Sequence, residues 1–208
     1  MIADNIKSEY NWKDVKIPYY WNIKLPKLLL MNIEGDKVLD VGCGNGYFVL
    51  YLIKHGIDAY GIDSGKKGIE IAKTACEGEN RFYVCDIRDH KLPKEIDQKY
   101  DTVVSTEVIE HLFDPDEYLT FCYDILKKDG RIVLTTPYHG YLKNVAISMT
   151  NKWDEHHFSL FYGGHIKFFS KKTLQIIMER NGFEVTHIRG IGRFPFLWET
   201  MMAVGKRI

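Results

Sequence analysis

The stretch Lys37-Val-Leu-Asp-Val-Gly-Cys-Gly-Asn-Gly-Tyr47 decides how the chain is read. Lys37 to Val41 is a short apolar run of the kind that forms a buried parallel strand. Gly42, Gly44 and Gly46 follow at once, and Tyr47 to His55 then reads as a helix that stops at Gly56. Strand, glycine-rich turn and helix in that order make a loop where a ligand can lie against bare backbone. The next strand, Ile57 to Ile62, runs into Asp63, ~20 residues beyond Gly42, where a ribose-binding carboxylate belongs. The third glycine comes one residue too early for the dinucleotide fingerprint, which would want glycine at Tyr47. A pyrophosphate cradle, and with it a nicotinamide dehydrogenase, is therefore disfavoured.

Working outward, strands and helices alternate. Ser64 is expected to cap a helix reaching about Glu77, and Arg81 to Cys85 is a third strand. Tyr100 to Ser105 is a fourth. Asp114-Pro115-Asp116-Glu117 is a strong helix start, with an acidic cap and proline in the first turn. That helix is expected to run to Lys128 and stop at Asp129-Gly130, before a fifth strand from Arg131 to Thr136. After Pro137 come about 30 irregular, aromatic-rich residues, within which Leu142 to Met149 reads as a short helix packing its apolar face inside. A helix from Ser170 to Arg180 ends at Asn181-Gly182. Phe183 to Ile188 and Thr200 to Lys206 lie close without a crossover helix, so they are expected to pair antiparallel. The pattern predicts an α/β fold: a Rossmann-like, doubly wound, seven-stranded sheet, mostly parallel with the last strand antiparallel. Ahead of it, residues 1–35, punctuated by Pro18 and Pro26, read as two short helices forming an N-terminal helical lid.

Composition narrows the class. The chain has 208 residues, of which 45% are hydrophobic and 27% charged, with 28 Lys+Arg against 28 Asp+Glu. That suits one domain with a sizeable core and excludes intrinsic disorder. Zero net charge disfavours a protein built to grip nucleic acid. Cys43, Cys76, Cys85 and Cys122 have no C-x-x-C spacing, which argues against a thiolate zinc site or a redox pair. The start lacks an apolar core of signal-peptide length, and no run approaches the ~18 apolar residues of a membrane span. A cytoplasmic, reduced protein is expected. From Pro137 onward there are ten Lys+Arg, five Asp+Glu and five of the eight histidines. Chance is the preferred reading of that asymmetry; the sharper one is a basic, aromatic surface facing an acidic or membrane-bound substrate.

Val38-Leu-Asp-Val-Gly-Cys-Gly-Asn-Gly46 resembles the first motif of class I S-adenosylmethionine-dependent methyltransferases, and further segments follow in that family's order. Gly61-Ile-Asp63 resembles its ribose-binding motif and Cys85-Asp86-Ile87 its adenine-contacting segment. Tyr100 to Leu112 resembles the fourth-strand motif, and Leu126 to Leu134 the approach to strand five. The likeness is close over about residues 36–136. It implies S-adenosyl-L-methionine as cofactor and S-adenosyl-L-homocysteine as product, held by Asp40, Gly42, Gly44, Gly46, Asp63 and Ser64. Asp86 and Ile87 would take the adenine, and the loop with Ser105 the methionine end. On this division 1–35 is the lid, 36–136 the cofactor core, 137–169 an acceptor-recognition insertion, and 170–208 the last helix and two strands. Acceptor candidates in the insertion are Tyr138, His139, Trp153, His156 and His157, with Phe161, Tyr162 and His165 beyond. Phe158, Phe161 and Phe168 are read first as core.

Glu107, Glu110 and His111 have i, i+3, i+4 spacing, which on a helical turn puts them on one face at the cleft mouth. Such a set suits Mg²⁺ or Mn²⁺ through oxygen, with the imidazole favouring softer ions. The segment resembles two metal-using branches of the family, the ubiquinone-biosynthesis O-methyltransferases and the small-RNA 3′-end 2′-O-methyltransferases. In the latter a downstream histidine joins the site, and His165-Ile-Lys-Phe-Phe-Ser170 resembles that setting. The metal set would be Glu107, Glu110, His111 and His165. The preferred alternative is metal-free, with His111, His165 or His139 taking the acceptor's proton. The favoured function is methylation of a small-molecule oxygen on a phenol, a quinol precursor or a sugar. A metal-dependent enzyme acting on an RNA end and a non-catalytic cofactor-binding protein are the rivals. Peripheral membrane contact and the oligomeric state stay open.

Overall fold

The computed structural model describes residues 12–16, 24–76, 79–157, 164–192 and 194–208. Seven strands form one sheet: β1 (Lys37–Val41), β2 (Asp58–Asp63), β3 (Phe82–Val84), β4 (Tyr100–Thr106), β5 (Leu126–Pro137), β6 (Phe183–Ile191) and β7 (Thr200–Arg207). Their order is β3-β2-β1-β4-β5-β7-β6. β1 to β5 pair in parallel, and β7 runs antiparallel to both β5 and β6. The order reverses between β1 and β4, which opens a crevice at the strands' carboxyl ends.

Both faces of the sheet are covered, so successive strand residues bury themselves on opposite sides. Leu39, Val103 and Ile132 point into one core layer with Tyr118, Leu119 and Leu174, from α4 (Pro115–Ile125) and α7 (Lys171–Arg180). Val38, Val104 and Val133 point into the other, against α1 (Lys24–Leu30), α2 (Tyr47–Lys54) and α3 (Lys66–Ala75). Among the described residues no helix is long and apolar enough to cross a membrane.

Several boundaries differ from the sequence reading. The α4 cap is as expected: the Asp114 carboxylate accepts from the backbone N–H groups of Asp116 at 3.0 Å and Glu117 at 3.1 Å. The helix stops at Ile125 rather than Lys128, because fully buried Leu126 already pairs with Tyr100 and β5 begins there. Asp129-Gly130 becomes a kink inside that strand. α3 is not capped by Ser64. Gly65 holds the cap position, its N–H donated to Asp63 Oδ1 at 2.7 Å. The helix is described to Ala75, and its expected end at Glu77 lies outside the described residues.

The lid reading changes most. α1 is core, not lid: Leu25 and Leu29 are buried in the layer that packs on α2. Residues 12–16, expected in a helix, are irregular, and residues 1–11 and 17–23 lie outside the described residues. In the insertion, α5 (Tyr141–Met149) and α6 (Trp153–His157) form. The apolar face of α5 is not packed inside as expected. Tyr141, Leu142 and Met149 are exposed, whereas Ile147 and the stem of Lys143 are buried.

Candidate functional site

A cavity of 920 Å³ opens at the carboxyl ends of β1, β2 and β4, over the loop after β3. Its floor is the glycine loop. Gly42 has φ +83, and a Cβ there would stand 2.3 Å from Val108 Cγ2, so only glycine fits. The loop is fixed from two sides. The N–H groups of Gly42 and Cys43 donate to Ile62 O at 2.8 and 3.0 Å, and Gly44 N–H donates to Asp63 Oδ2 at 2.9 Å. Asp63 thus clamps the loop with one oxygen and the start of α3 with the other. Its carboxylate also lines the cavity, where it can accept from a diol.

Most of the expected cofactor residues line this cavity: Asp40, Gly42, Gly44, Asp63, Ser64, Asp86 and Ile87. Asp40 is 1% exposed; burial, and then the charge of Asp63, push its carboxyl up to about 8. Among the described residues its Oδ1 has no hydrogen-bond partner. Asp86 is held below the usual carboxylate range by the guanidinium of Arg88. Two expected residues are elsewhere. Gly46 faces Ala72 and Phe82, allowing α3 and β3 to approach. Ser105 is buried with its hydroxyl donated to Val41 O at 2.7 Å, tying β4 to β1.

Glu107 and His111 close the other end of the same cavity. They do not share a helical face. Glu107 sits at φ +54, ahead of a single 3₁₀ turn over Ile109–His111. Its Oε1 accepts from Thr200 Oγ1 at 2.6 Å, so its carboxylate is turned towards β7. Loss of water contact raises its pKa, against which the Thr200 hydroxyl and the ammonium of Lys143 pull down. Lys143, nine-tenths buried, donates to Glu199 O at 3.2 Å. Nothing in the helical pattern of α5 marked it, beyond a cation in an apolar run.

Behind His111 lies a second group. The backbone carbonyl of Glu110 accepts from the N–H groups of Ile166 at 2.9 Å and Lys167 at 3.0 Å. That pins the stretch before α7 against the 3₁₀ turn and brings the ring of His165 to 4.9 Å from that of His111. Glu110 is 1% exposed, with Oε2 accepting from Thr136 Oγ1 at 2.9 Å. Burial, and then the charge of Glu107, hold its carboxyl well above the ordinary range. Among the described residues Glu110 Oε1, 3.9 Å from His111 Nε2, has no hydrogen-bond partner, and neither has His165 Nδ1. One ligand atom from each of Glu110, His111 and His165 falls within 4.8 Å of the others. Glu107 is not one of this set.

Burial, and then His111, lower the His165 pKa to about 4; for His139 the causes are burial and then Lys143, to about 4. Both are neutral and weakly basic at pH 7. Neither lines the cavity. His139 is stacked on His157 at 5.6 Å and met edge-on by Phe168. Phe168, expected in the core, is 49% exposed. Tyr138 is buried against Trp198, and Trp153 lies on His157. Phe158, Phe161 and Tyr162 lie outside the described residues.

A family model described as a methyltransferase domain matches residues 14–188. The mitochondrial ubiquinone biosynthesis O-methyltransferase of Bos taurus is 26% identical over 182 residues, 79% of this chain and 45% of that protein. The chain thus spans about half the length of the mitochondrial relatives it matches. A Coxiella burnetii ubiquinone biosynthesis O-methyltransferase is 28% identical over 173 residues, 79% of this chain and 70% of that protein. In fold the chain is similar to magnesium protoporphyrin IX methyltransferase from Synechocystis, solved with S-adenosylhomocysteine bound. The TM-score is 0.65 at 19% identity, covering 89% of this chain and 81% of that one.

Proposed function

The chain belongs to the methyltransferase-domain family, and from that premise we propose that it moves the methyl group of S-adenosylmethionine to a hydroxyl oxygen of a small molecule. One observation carries the reading: a single cavity of 920 Å³ has Asp63 and the glycine loop at one end and His111 at the other. Ligand sites run to roughly 1,000 Å³, so this one has room for a cofactor and a modest acceptor together.

The cofactor's sulfonium is already a good electrophile, so the chain has three tasks: to hold the donor, to line up the acceptor and to exclude water. Asp63 and the backbone of the glycine loop hold the adenosyl part. Asp40, short of a partner, faces the cationic end. His111 stands where the acceptor oxygen must approach. The acceptor class we infer is a phenol or quinol precursor. The names of the relatives support it.

The Glu110, His111 and His165 donors fit a divalent cation: one carboxylate oxygen and one imidazole nitrogen in that set are buried without partners among the described residues. Such an ion would supply Lewis acidity towards an acceptor hydroxyl. The chain's own part is to keep His165 neutral and to hold Glu110 against Thr136. In the metal-free alternative His111 takes the proton directly.

The test begins with binding. S-adenosylhomocysteine should raise Tm by mass action, and Asp63→Ala should remove most of that rise. No shift with this ligand, together with a shift on adding NADH, would sink the reading. With a catechol or quinol acceptor, EDTA should abolish turnover and one divalent ion restore it. Turnover indifferent to EDTA returns the proton to His111.

A further inference from the structure

Asn45 lies within the glycine loop, 3% exposed, and its side chain makes three hydrogen bonds. Its Oδ1 accepts from Tyr47 N–H at 3.2 Å, which shapes the entry to α2. Its Nδ2 donates to two backbone carbonyls far back in the chain, Asp14 O at 3.0 Å and Lys16 O at 3.2 Å. The short segment from Trp12 to Lys16 is thereby tied across the loop. At its head the indole of Trp12 lies on two glycines. A Cβ at Gly44 would stand 2.8 Å from Trp12 Cζ2, and one at Gly68 would stand 3.2 Å from Trp12 Cδ1. Bare backbone at both positions lets the ring approach, and the ring then lines the cavity alongside Gly44, Asp63 and Gly68.

The geometry points to Trp12–Lys16 as a strap that forms one wall of the cofactor cavity, with Trp12 as a cofactor-contacting residue and Asn45 as its tether. The inference rests on the cofactor reading above. It goes beyond that reading by adding a binding residue from outside the strand–helix core. Two amide donors are all that Asn45 offers the strap, while the salt bridge between Lys16 and Asp14 lies on its exposed side. An interaction of that size opens and closes readily. A ligand that touches Trp12 binds the closed strap and not the open one, so ligand binding and strap docking draw on one equilibrium.

The experiment uses the full chain and two readouts: S-adenosylhomocysteine affinity by calorimetry, and the rate of tryptic cleavage after Lys13 and Lys16. Variants are Trp12→Ala and Asn45→Ser; serine keeps an acceptor for Tyr47 N–H but is too short to reach both carbonyls. Without ligand, Asn45→Ser should be cut faster than wild type at both lysines, which tests the tether whether or not the cofactor reading is right. With ligand, wild-type cleavage should slow severalfold. Trp12→Ala should weaken binding about tenfold, the scale of exposing one apolar face of the ligand to water. If wild type fails to bind S-adenosylhomocysteine, the cofactor reading falls and the wall assignment falls with it. If wild type binds and Trp12→Ala binds within twofold of it, Trp12 is not a wall. Equal ligand-free cleavage of wild type and Asn45→Ser overturns the tether.

Discussion

Asp40→Asn should uncouple cofactor binding from pH. In the ligand-free protein the Asp40 carboxyl is 1% exposed and pushed up to about 8, by burial first and the Asp63 charge second. At pH 7 it is therefore about nine-tenths protonated. S-adenosylmethionine carries an ammonium and a sulfonium. A cation seated beside Asp40 favours the carboxylate, so binding should expel the proton. About 0.9 proton should leave per cofactor bound at pH 7, about 0.5 at pH 8 and almost none above pH 9. Affinity should climb by up to about tenfold per pH unit between roughly 4 and 8 and then level.

Titration calorimetry in two buffers of different ionisation heat measures the proton directly. Below about pH 7, where the cofactor's own amine stays protonated, the Asn variant should release none and bind with a flat pH profile. The same group sets a slope in folding. Between its unfolded value near 3.8 and its folded value of about 8, the native state holds the proton that the unfolded chain has lost. Its contribution to stability therefore falls as pH rises through that window, by up to about 1.4 kcal/mol per unit. Asp40→Asn should remove that slope, and its Tm should exceed wild type most at pH 8 and above. Wild-type binding with no proton release and constant affinity from pH 6 to 9 would refute the reasoning.

Other expectations follow from single contacts. Gly42→Ala should abolish S-adenosylhomocysteine binding in a thermal-shift assay, because its Cβ would stand 2.3 Å from Val108 at φ +83. Leu29→Ala should cost about 2–5 kcal/mol in a denaturant melt yet leave ligand affinity unchanged, since α1 is core; an equal loss of affinity would restore a lid role to it. Asp114→Ala should cost about 1 kcal/mol, the price of one cap, lowering Tm by about 2–4 °C.

What the sequence showed of this molecule follows the range of its signals. The glycine loop and the Asp-Pro start of α4 are local patterns, and each sits where it was placed. The end of α4 escapes a local reading because Asp129-Gly130 is a strong local stop, while pairing of Leu126 with Tyr100 is a contact between strands that no window on the chain contains. Ser105 and Gly46 belong to the motif, yet face Val41 and Phe82 rather than the cavity, because strand alternation and helix approach decide facing. Helical spacing put Glu107 with Glu110 and His111; one left-handed residue sent it to Thr200. The tie between Asn45 and the Trp12–Lys16 segment leaves no local signal, since a link across ~30 residues has no periodicity to read.

The Glu110 carboxyl gives the last test, one that needs no acceptor. Buried, beside Glu107, and with one oxygen unpartnered among the described residues, it is costly as an anion. Two arrangements relieve that cost: a proton kept on the carboxyl, or a cation between it and the imidazoles of His111 and His165. They predict opposite responses to metal. If a proton is the answer, Glu110→Gln is nearly isosteric with the protonated acid, melts like wild type, and neither protein responds to Mg²⁺, Mn²⁺ or Co²⁺. If a cation is the answer, one of these ions raises wild-type Tm. By mass action the gain is about 2.7 kcal/mol at a hundredfold excess over Kd, roughly 5–10 °C for a chain of this size. The rise should grow with pH, because the carboxyl must lose its proton before it can ligate. It should vanish in Glu110→Gln and in His165→Ala but persist in Glu107→Gln, since the Glu107 carboxylate is taken up by Thr200. A metal response that survives in Glu110→Gln would place the ion elsewhere and remove the reason for grouping these three side chains.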